Sequence, residues 1–468
     1  MIVVVTFLLN AVLNFATGLA VAAVLGPTEF GRFAVASMAA IVLATTMFDW
    51  LRLSTVRHYN EESRIDRPQL RASLDRAYMI GAAVLILGTI VALAASLSGQ
   101  TSAISSGLIL ATAATAFANA QFDFWSALAR SRFLNRTYAL LVISKNVLAL
   151  AAMIAVGLAY HSAVATMAAF CGSVAVAIAL VWARLRDAPS PPAQVDRALI
   201  ATFLRYGMPV VAGNAIFQLI ILINRWFVGT TLGYSDVGHL ALATDICIRI
   251  FLSVGAGFDV LMFQKAVRLE TTQGADAARS QIETNATLVL AILAPMAGGY
   301  YMVLPMFEAL VVPTAYHGTF AAMSAILLPG VFAFGVMQFA FGPAFQMAGR
   351  TYPFTVAALA GLTCDLVLLA AFVGRDALHF AYVQSAALCA ATAVAGVYAL
   401  RANRRLISVR DVAAVAVGTI AMMVAVIPMR SFATPALGLI SAVLVGAAVY
   451  GAVVVAFNIA GLRDKLNP

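Results

Sequence analysis

The chain has 468 residues, 63% of them apolar and only 10% charged, with a formal net charge of +9 and a mean hydropathy of +0.95. A soluble domain carries roughly 25% charged residues, so this composition excludes a soluble enzyme or a folded basic face for nucleic acid and demands that most of the chain meet lipid or other helices. Cys171, Cys247, Cys364 and Cys389 stand singly, without metal-ligand spacing, and read as small core residues.

Runs of about 20 apolar residues predict an all-α polytopic membrane protein with fourteen transmembrane helices. They fall at 2–25, 33–48, 77–98, 103–127, 138–159, 163–183, 207–231, 237–262, 285–304, 320–345, 353–372, 379–400, 411–428 and 435–459. The first reads as a retained helix and not a cleaved leader, since no basic segment precedes it and Leu25-Gly26-Pro27 is no small-x-small cleavage site. It carries a polar stripe of Asn10, Asn14 and Thr17.

Between spans 1 and 2 stands LGPTEFGRFAVA, residues 25–36, and between spans 7 and 8 stands LGYSDVGHLALA, residues 232–243. Both copies read Leu-Gly, any residue, Thr or Ser, an acid, any residue, Gly, then a basic or His residue. Gly26 and Gly233 suit the tight turn between hairpin helices. Thr28 and Ser235 then suit the cap of the following helix, with Glu29 and Asp236 at its positive end. Phe48-Asp49 closes span 2 much as Phe258-Asp259 sits near the end of span 8. An offset of six spans preserves orientation, so the repeat predicts two parallel six-helix halves able to rock against each other.

Farther along, span 4 holds Thr112, Thr115, Asn119 and Asp123, and span 5 holds Lys145. A proline-stiffened linker with Pro189, Pro191 and Pro192 covers 186–206 and divides an N-lobe, 1–185, from a C-lobe, 207–400. At 100° per residue, Asn214, Gln218 and Arg225 share one stripe of span 7. In span 8, Asp245 precedes Arg249 by one turn, a spacing that favours an ion pair. Asp365 is central in span 11 without a cation in its own helix. Spans 13 and 14, within 411–459, form an appended hairpin.

The basic residues test this segmentation. Twenty-three of the 29 Lys and Arg fall in alternate loops and the C-terminal tail, three (Arg32, Arg375, Arg430) in the opposite loops, and three (Lys145, Arg225, Arg249) inside spans. The positive-inside rule then places both termini in the cytoplasm. No phosphate-cradling loop, nucleophile elbow or metal cluster is present, so the chain reads as a non-enzyme without a cofactor. A cycle without a nucleotide-binding module must be driven by an ion gradient, the membrane potential or the cargo's own gradient.

Polar groups at membrane depth are costly, and their placement is informative. Amide and hydroxyl stripes on corresponding helices either line a shared hydrated cleft or join helices by hydrogen bonds. Arg225, Arg249 and Lys145 are expected to make such a cleft electropositive, with Asn10, Asn14, Asn214 and Gln218 offering hydrogen bonds to the cargo. Arg suits an anion because its planar fork matches phosphate oxygens. The competing reading makes Asp245 and Arg249 a structural pair and lets Arg225 and Lys145 snorkel. Asp245, Asp365 and Asp123 are candidates for coupling or counter-ion roles.

The phrase at 25–36, the segment YGMPVVAGNAIFQLIILINRWFVGTTLGYSDVG at 206–238 and MAGR at 347–350 resemble the polysaccharide-transporter, or O-antigen flippase, branch of the multidrug/oligosaccharidyl-lipid/polysaccharide (MOP) exporter superfamily. The resemblance covers essentially the whole chain. It implies two six-helix lobes in a V around a central cationic cavity, plus a C-terminal helix pair and alternating access. The implied cargo is an undecaprenyl-diphosphate-linked oligosaccharide. It would move from the inner to the outer leaflet of the bacterial inner membrane for O-antigen, capsule or exopolysaccharide assembly, beside other polysaccharide-assembly proteins and membrane lipids. Where many relatives carry Asp-Arg near the end of span 7, this chain has Asn224-Arg225. A MATE-like ion-coupled exporter of organic cations is the alternative, and would call for an acid-dominated cavity. A membrane-embedded glycosyltransferase would call for large loops on the outer side, and the outer loops here are short.

Overall fold

In a computed structural model, described over residues 2–98, 105–186, 195–348, 352–371, 376–402, 407–432 and 434–461, the chain is helical with no strand among the described residues. Twelve helices among them are long and apolar enough to cross a membrane. The first of these holds two of the fourteen expected spans, and the 26-residue helix over span 4 (Ser106–Ser131) is not among the twelve. The linker prolines, Gly349 and Arg350 of the MAGR phrase, Arg375 and the C-terminal tail lie outside the described residues.

The chain divides into two compact units, Met1–Ala241 and Leu242–Pro468. The first contains α1 (Ile2–His58), α2 (Glu61–Asp66), α3 (Pro68–Leu97), α4 (Ser106–Ser131), α5 (Asn135–Tyr160), α6 (Ala163–Leu185), α7 (Arg197–Thr231) and the opening turns of α8 (Tyr234–Gln273). Sequence patterning placed the lobe boundary in the 186–206 linker. In the structure α7 packs along α1 and clusters with the helices before it. Small residues permit this closeness: a side chain on Gly207 would meet the Trp50 backbone at 2.6 Å. The Ser54 hydroxyl also donates to the Phe203 carbonyl at 3.1 Å.

α1 is two helices broken at Gly26, whose φ of 68° is left-handed and accessible to Gly at little cost. Ser105, Ser162 and Asp196 start α4, α6 and α7 as caps, each side chain accepting from a first-turn N–H. At the end of the unit away from Gly26, Phe48, Leu51, Tyr59, Leu74, Phe124, Leu128 and Phe203 form a buried core. That packing joins the halves of α1, α3, α4 and α7 that lie away from Gly26.

The second unit continues α8 and adds α9 (Ala275–Val311), α10 (Thr319–Val336), a π-helical turn (Met337–Phe341), α11 (Gly342–Met347), α12 (Tyr352–Ala371), α13 (Ala377–Ala402), α14 (Val409–Val426) and α15 (Pro435–Ala456). α13 packs on α10 and α12, while the α14–α15 pair lies against α9. The Tyr450 hydroxyl fixes that last contact by donating to the Ala291 carbonyl at 2.6 Å. Gly330 lets α10 meet α13 at Ser385, whose hydroxyl accepts from the Gly330 N–H at 3.0 Å. Such small-residue contacts are the usual way helices associate in lipid, where burial of apolar surface supplies no drive.

Candidate functional site

The two copies of the repeated phrase lie against each other. A methyl on Gly31 would overlap the Tyr234 carbonyl oxygen, and a methyl on Gly238 would overlap the Pro27 carbonyl. The contact is reciprocal: the second glycine of each copy faces the backbone at the third position of the other. Gly26 and Gly233 both take positive φ, 68° and 108°, and turn the chain so that this approach occurs. The Arg32 guanidinium lies over the Tyr234 ring at 5.5 Å, reinforcing the pair. Glu29 does not serve its own helix in the way the sequence suggested. Its carboxylate pairs with Arg32 at 2.5 Å and accepts from the Ala163 N–H, the first residue of α6, at 2.9 Å.

Below this contact, α1, α3, α4 and α7 with Tyr234 enclose a half-open cavity of about 750 Å³. Its wall is almost wholly apolar, running along α1 from Val35 to Met47 and along α3 from Val84 to Ala92. Arg225 is the one charged side chain in that wall among the described residues. The residue is 2% exposed, and its Nη1 donates to the Ala34 carbonyl at 3.1 Å. Its neighbour Asn224 is fully buried, with its amide donating to the Ile220 carbonyl at 3.0 Å. Gln218 and Asn214 are half-buried about two and three turns earlier on the same stripe. The Gln218 Oε1 is enclosed with no hydrogen-bond donor among the described residues.

Lys145 does not line that cavity. It is 9% exposed, with its ammonium over the Phe122 ring at 4.9 Å and near the Phe170 ring at 5.8 Å. Aromatic faces of this kind stabilise a desolvated cation. Beside it, the Asn146 amide donates to Asn10 Oδ1 at 2.6 Å, and the Asn14 amide donates to the same oxygen at 2.9 Å and to the Asn10 carbonyl at 2.8 Å. Asn10 and Asn14 therefore bind α1 to α5 through Asn146, a partner that the sequence stripe passed over. Its adjacency to Lys145 was the available signal.

Toward the far end of the unit, Asp49 and Arg52 form a two-point pair, with Nε–Oδ1 at 2.8 Å and Nη2–Oδ2 at 3.2 Å. Asp123 lies within electrostatic reach of Arg52, Asp49 and Lys145. The loop count had treated Arg52 only as a topology marker; its i, i+3 spacing from Asp49 was the signal that it belongs to this cluster. Arg71 adds a pair with Asp75 at 3.0 Å and covers the Phe124 ring at 5.2 Å. Acids and bases thus answer one another on α1, α3 and α4, and Asp123 joins them.

In the second unit, Asp245 and Arg249 are half-buried on α8, and Asp365 is fully buried on α12. Close by in sequence to Asp245, the Thr244 hydroxyl accepts from the buried Gln384 amide at 3.4 Å. The side chain of Asp259, matched in sequence to Asp49, lies outside the described residues. The expected basic residues are thus divided, with Arg225 and Lys145 in separate surroundings of the first unit and Arg249 in the second.

No family model matches the sequence, and no curated protein matches it. Solved structures do. The chain superposes on the lipid II flippase MurJ in an inward closed conformation with a TM-score of 0.76 at 11% identity, over 99% of both chains. It superposes on an inward-facing multidrug resistance MATE family transporter of the MOP superfamily with a TM-score of 0.54 at 14% identity, over 85% of this chain and 94% of that one. A MOP superfamily transporter from Pyrococcus furiosus, described as having a binding pocket of reverse polarity that suggests a different function, gives 0.51 at 15% identity over 86% and 94%. The chain has the fold of these transporters and is a multi-pass membrane protein.

Proposed function

We propose that the protein is a flippase for a polyprenyl-diphosphate-linked oligosaccharide in the synthesis of surface polysaccharide. The observation that carries this reading is the full-length match. The lipid II flippase superposes over 99% of this chain, whereas the multidrug transporter covers 85%. A sugar headgroup on a diphosphate cannot cross about 30 Å of hydrocarbon unaided. Arg225, buried in an apolar wall, supplies the planar donor fork that a diphosphate oxygen requires.

On this reading the chain crosses the inner membrane fourteen times with both termini in the cytoplasm, in line with its Lys and Arg distribution. The paired turns at Gly26 and Gly233 then face the outer side. Their interlock seals that side until the cycle separates the two copies. Arg249 is assigned to cargo binding from the second unit, and Asp365 to coupling or counter-charge.

A second reading, an ion-coupled exporter of small molecules, draws support from the acids Asp49 and Asp123 in the first unit. The same fold accommodates pockets of different polarity, as the Pyrococcus furiosus description indicates, so fold alone does not choose the cargo. Gene deletion followed by analysis of lipid-linked sugars decides between the two. Accumulation of a lipid-linked oligosaccharide on the inner leaflet, reversed by the wild-type gene but not by Arg225→Ala, is expected. Normal glycan display in the deletion strain, with lost efflux of organic cations, would replace this reading by the exporter.

A further inference from the structure

The slot beside Arg225 has properties that a headgroup site does not need. A site for a sugar should offer hydrogen-bonding groups along its length, yet apart from Arg225 this wall offers only Thr89, Thr112, Thr230, the Trp226 indole and Tyr234 as polar side chains. Thr112 and Thr89 are also turned back on their own helices, donating to the Leu108 and Leu85 carbonyls at 2.8 and 2.7 Å. From Ala36 to Met47 the apolar wall extends over twelve residues of helix, about 16 Å. Val84, Gly88, Trp226 and Thr230 on its rim are exposed, so the slot opens sideways. A side chain at Gly88 would meet no atom within 4 Å.

We infer that this slot holds the phosphate-proximal part of the polyprenyl chain, with the first phosphate on the Arg225 guanidinium. The inference rests on the flippase reading and adds where the lipid anchor sits. A long apolar channel with one fully buried cation at its wall matches a single-chain amphiphile whose only charge is at its head. A glycerophospholipid, with two chains side by side, fits this single channel less well. The volume of about 750 Å³ falls within the 300–1,000 Å³ that pockets offer a drug-sized ligand. It therefore takes the first few isoprene units, and the rest of the chain leaves between α3 and α7 through the open side. The Ala34 carbonyl orients the guanidinium before the phosphate arrives.

The test uses the full-length protein in nanodiscs and a polyprenyl diphosphate carrying a diazirine on its second isoprene unit. Irradiation followed by peptide mapping is expected to place the label on residues 39–47 or 84–92. Gly88→Phe, which fills the slot, and Arg225→Ala should each lower that labelling at least tenfold while thermal unfolding shows both variants folded. Unlabelled polyprenyl diphosphate should compete, and phosphatidylglycerol at equal mole fraction should not. Label on α14 or α15, undiminished labelling in Gly88→Phe, or equal competition by phosphatidylglycerol overturns the proposal. Translocation of a lipid-linked sugar by wild-type proteoliposomes is scored separately. Slot labelling without translocation removes the flippase reading and leaves the slot assigned, whereas translocation with label elsewhere does the reverse.

Discussion

At the paired turns of the first unit the backbone leaves no room for a side chain, while on α3 it leaves room for several atoms. Gly31 and Gly238 each face a carbonyl of the other repeat copy, and Gly88 faces empty space. The same residue type therefore marks closure in one place and capacity in the other. Helices pressed together through glycine transmit a displacement rigidly, whereas helices held apart by a void can accept a guest without moving. A carrier needs both, a seal that opens as a unit and a chamber that does not collapse when it does.

The largest expected effect comes from breaking the seal. Gly31→Ala or Gly238→Ala puts a methyl into a carbonyl of the facing turn, and overpacking of this kind costs about 1–3 kcal/mol. Lower thermal stability and at least a tenfold loss of lipid-linked sugar translocation in proteoliposomes are expected for each. The double variant should lose little beyond either single one, because both act on the same contact. Additive losses would mean that the two glycines belong to independent sites. Next in size is the chamber's charge. Arg225→Ala removes the side-chain donor to the Ala34 carbonyl, which keeps its own helix bond, so stability falls by only about 1 kcal/mol while translocation should be abolished. Arg225→Lys keeps the charge without the planar fork, and partial activity with weakened substrate affinity is expected in a titration of initial rates.

These two regions were unequally legible in the sequence. The turns announced themselves, since a Leu-Gly phrase with an acid and a second glycine recurs across some two hundred residues, and left-handed φ at Gly26 and Gly233 follows from turn chemistry. That the copies touch was not legible, because no local pattern encodes a contact between residues so far apart. The helices themselves were legible from apolar run length, and each expected span overlaps a helix of the described residues. The slot was invisible because it is an absence of atoms, defined by four helices together. Lys145 was misleading for a related reason: its charge is met by rings of Phe122 and Phe170 from two other helices, and a count of intramembrane cations does not see rings.

A smaller effect separates glue from cleft. If Asn10 and Asn146 serve to join α1 and α5, as their 2.6 Å hydrogen bond indicates, a double-mutant cycle of Asn10→Ala and Asn146→Ala should show a coupling of about 0.6 kcal/mol and no more than about 1.7. Substrate affinity should stay unchanged in both single variants. A selective rise in the substrate concentration needed for half-maximal rate, without any change in thermal stability, would return Asn10 to the cargo's path.

The smallest effect bears most directly on the contrast between closure and capacity. Gly88→Ala adds one methyl to a position where nothing stands within 4 Å, and it replaces the poorest ordinary helix former with the best one in the interior of α3. Propensity alone then favours the variant by up to about 1 kcal/mol, and no clash opposes it. The slot loses only one methyl's worth of space, so translocation should match the wild type within error while the unfolding temperature stays level or rises slightly. The identical substitution at Gly31 is expected to do the opposite on both measures. Were Gly88→Ala as damaging as Gly31→Ala, the apparent void would be filled in the working protein by a neighbouring element. The slot would then be one more tightly packed seam and no chamber at all.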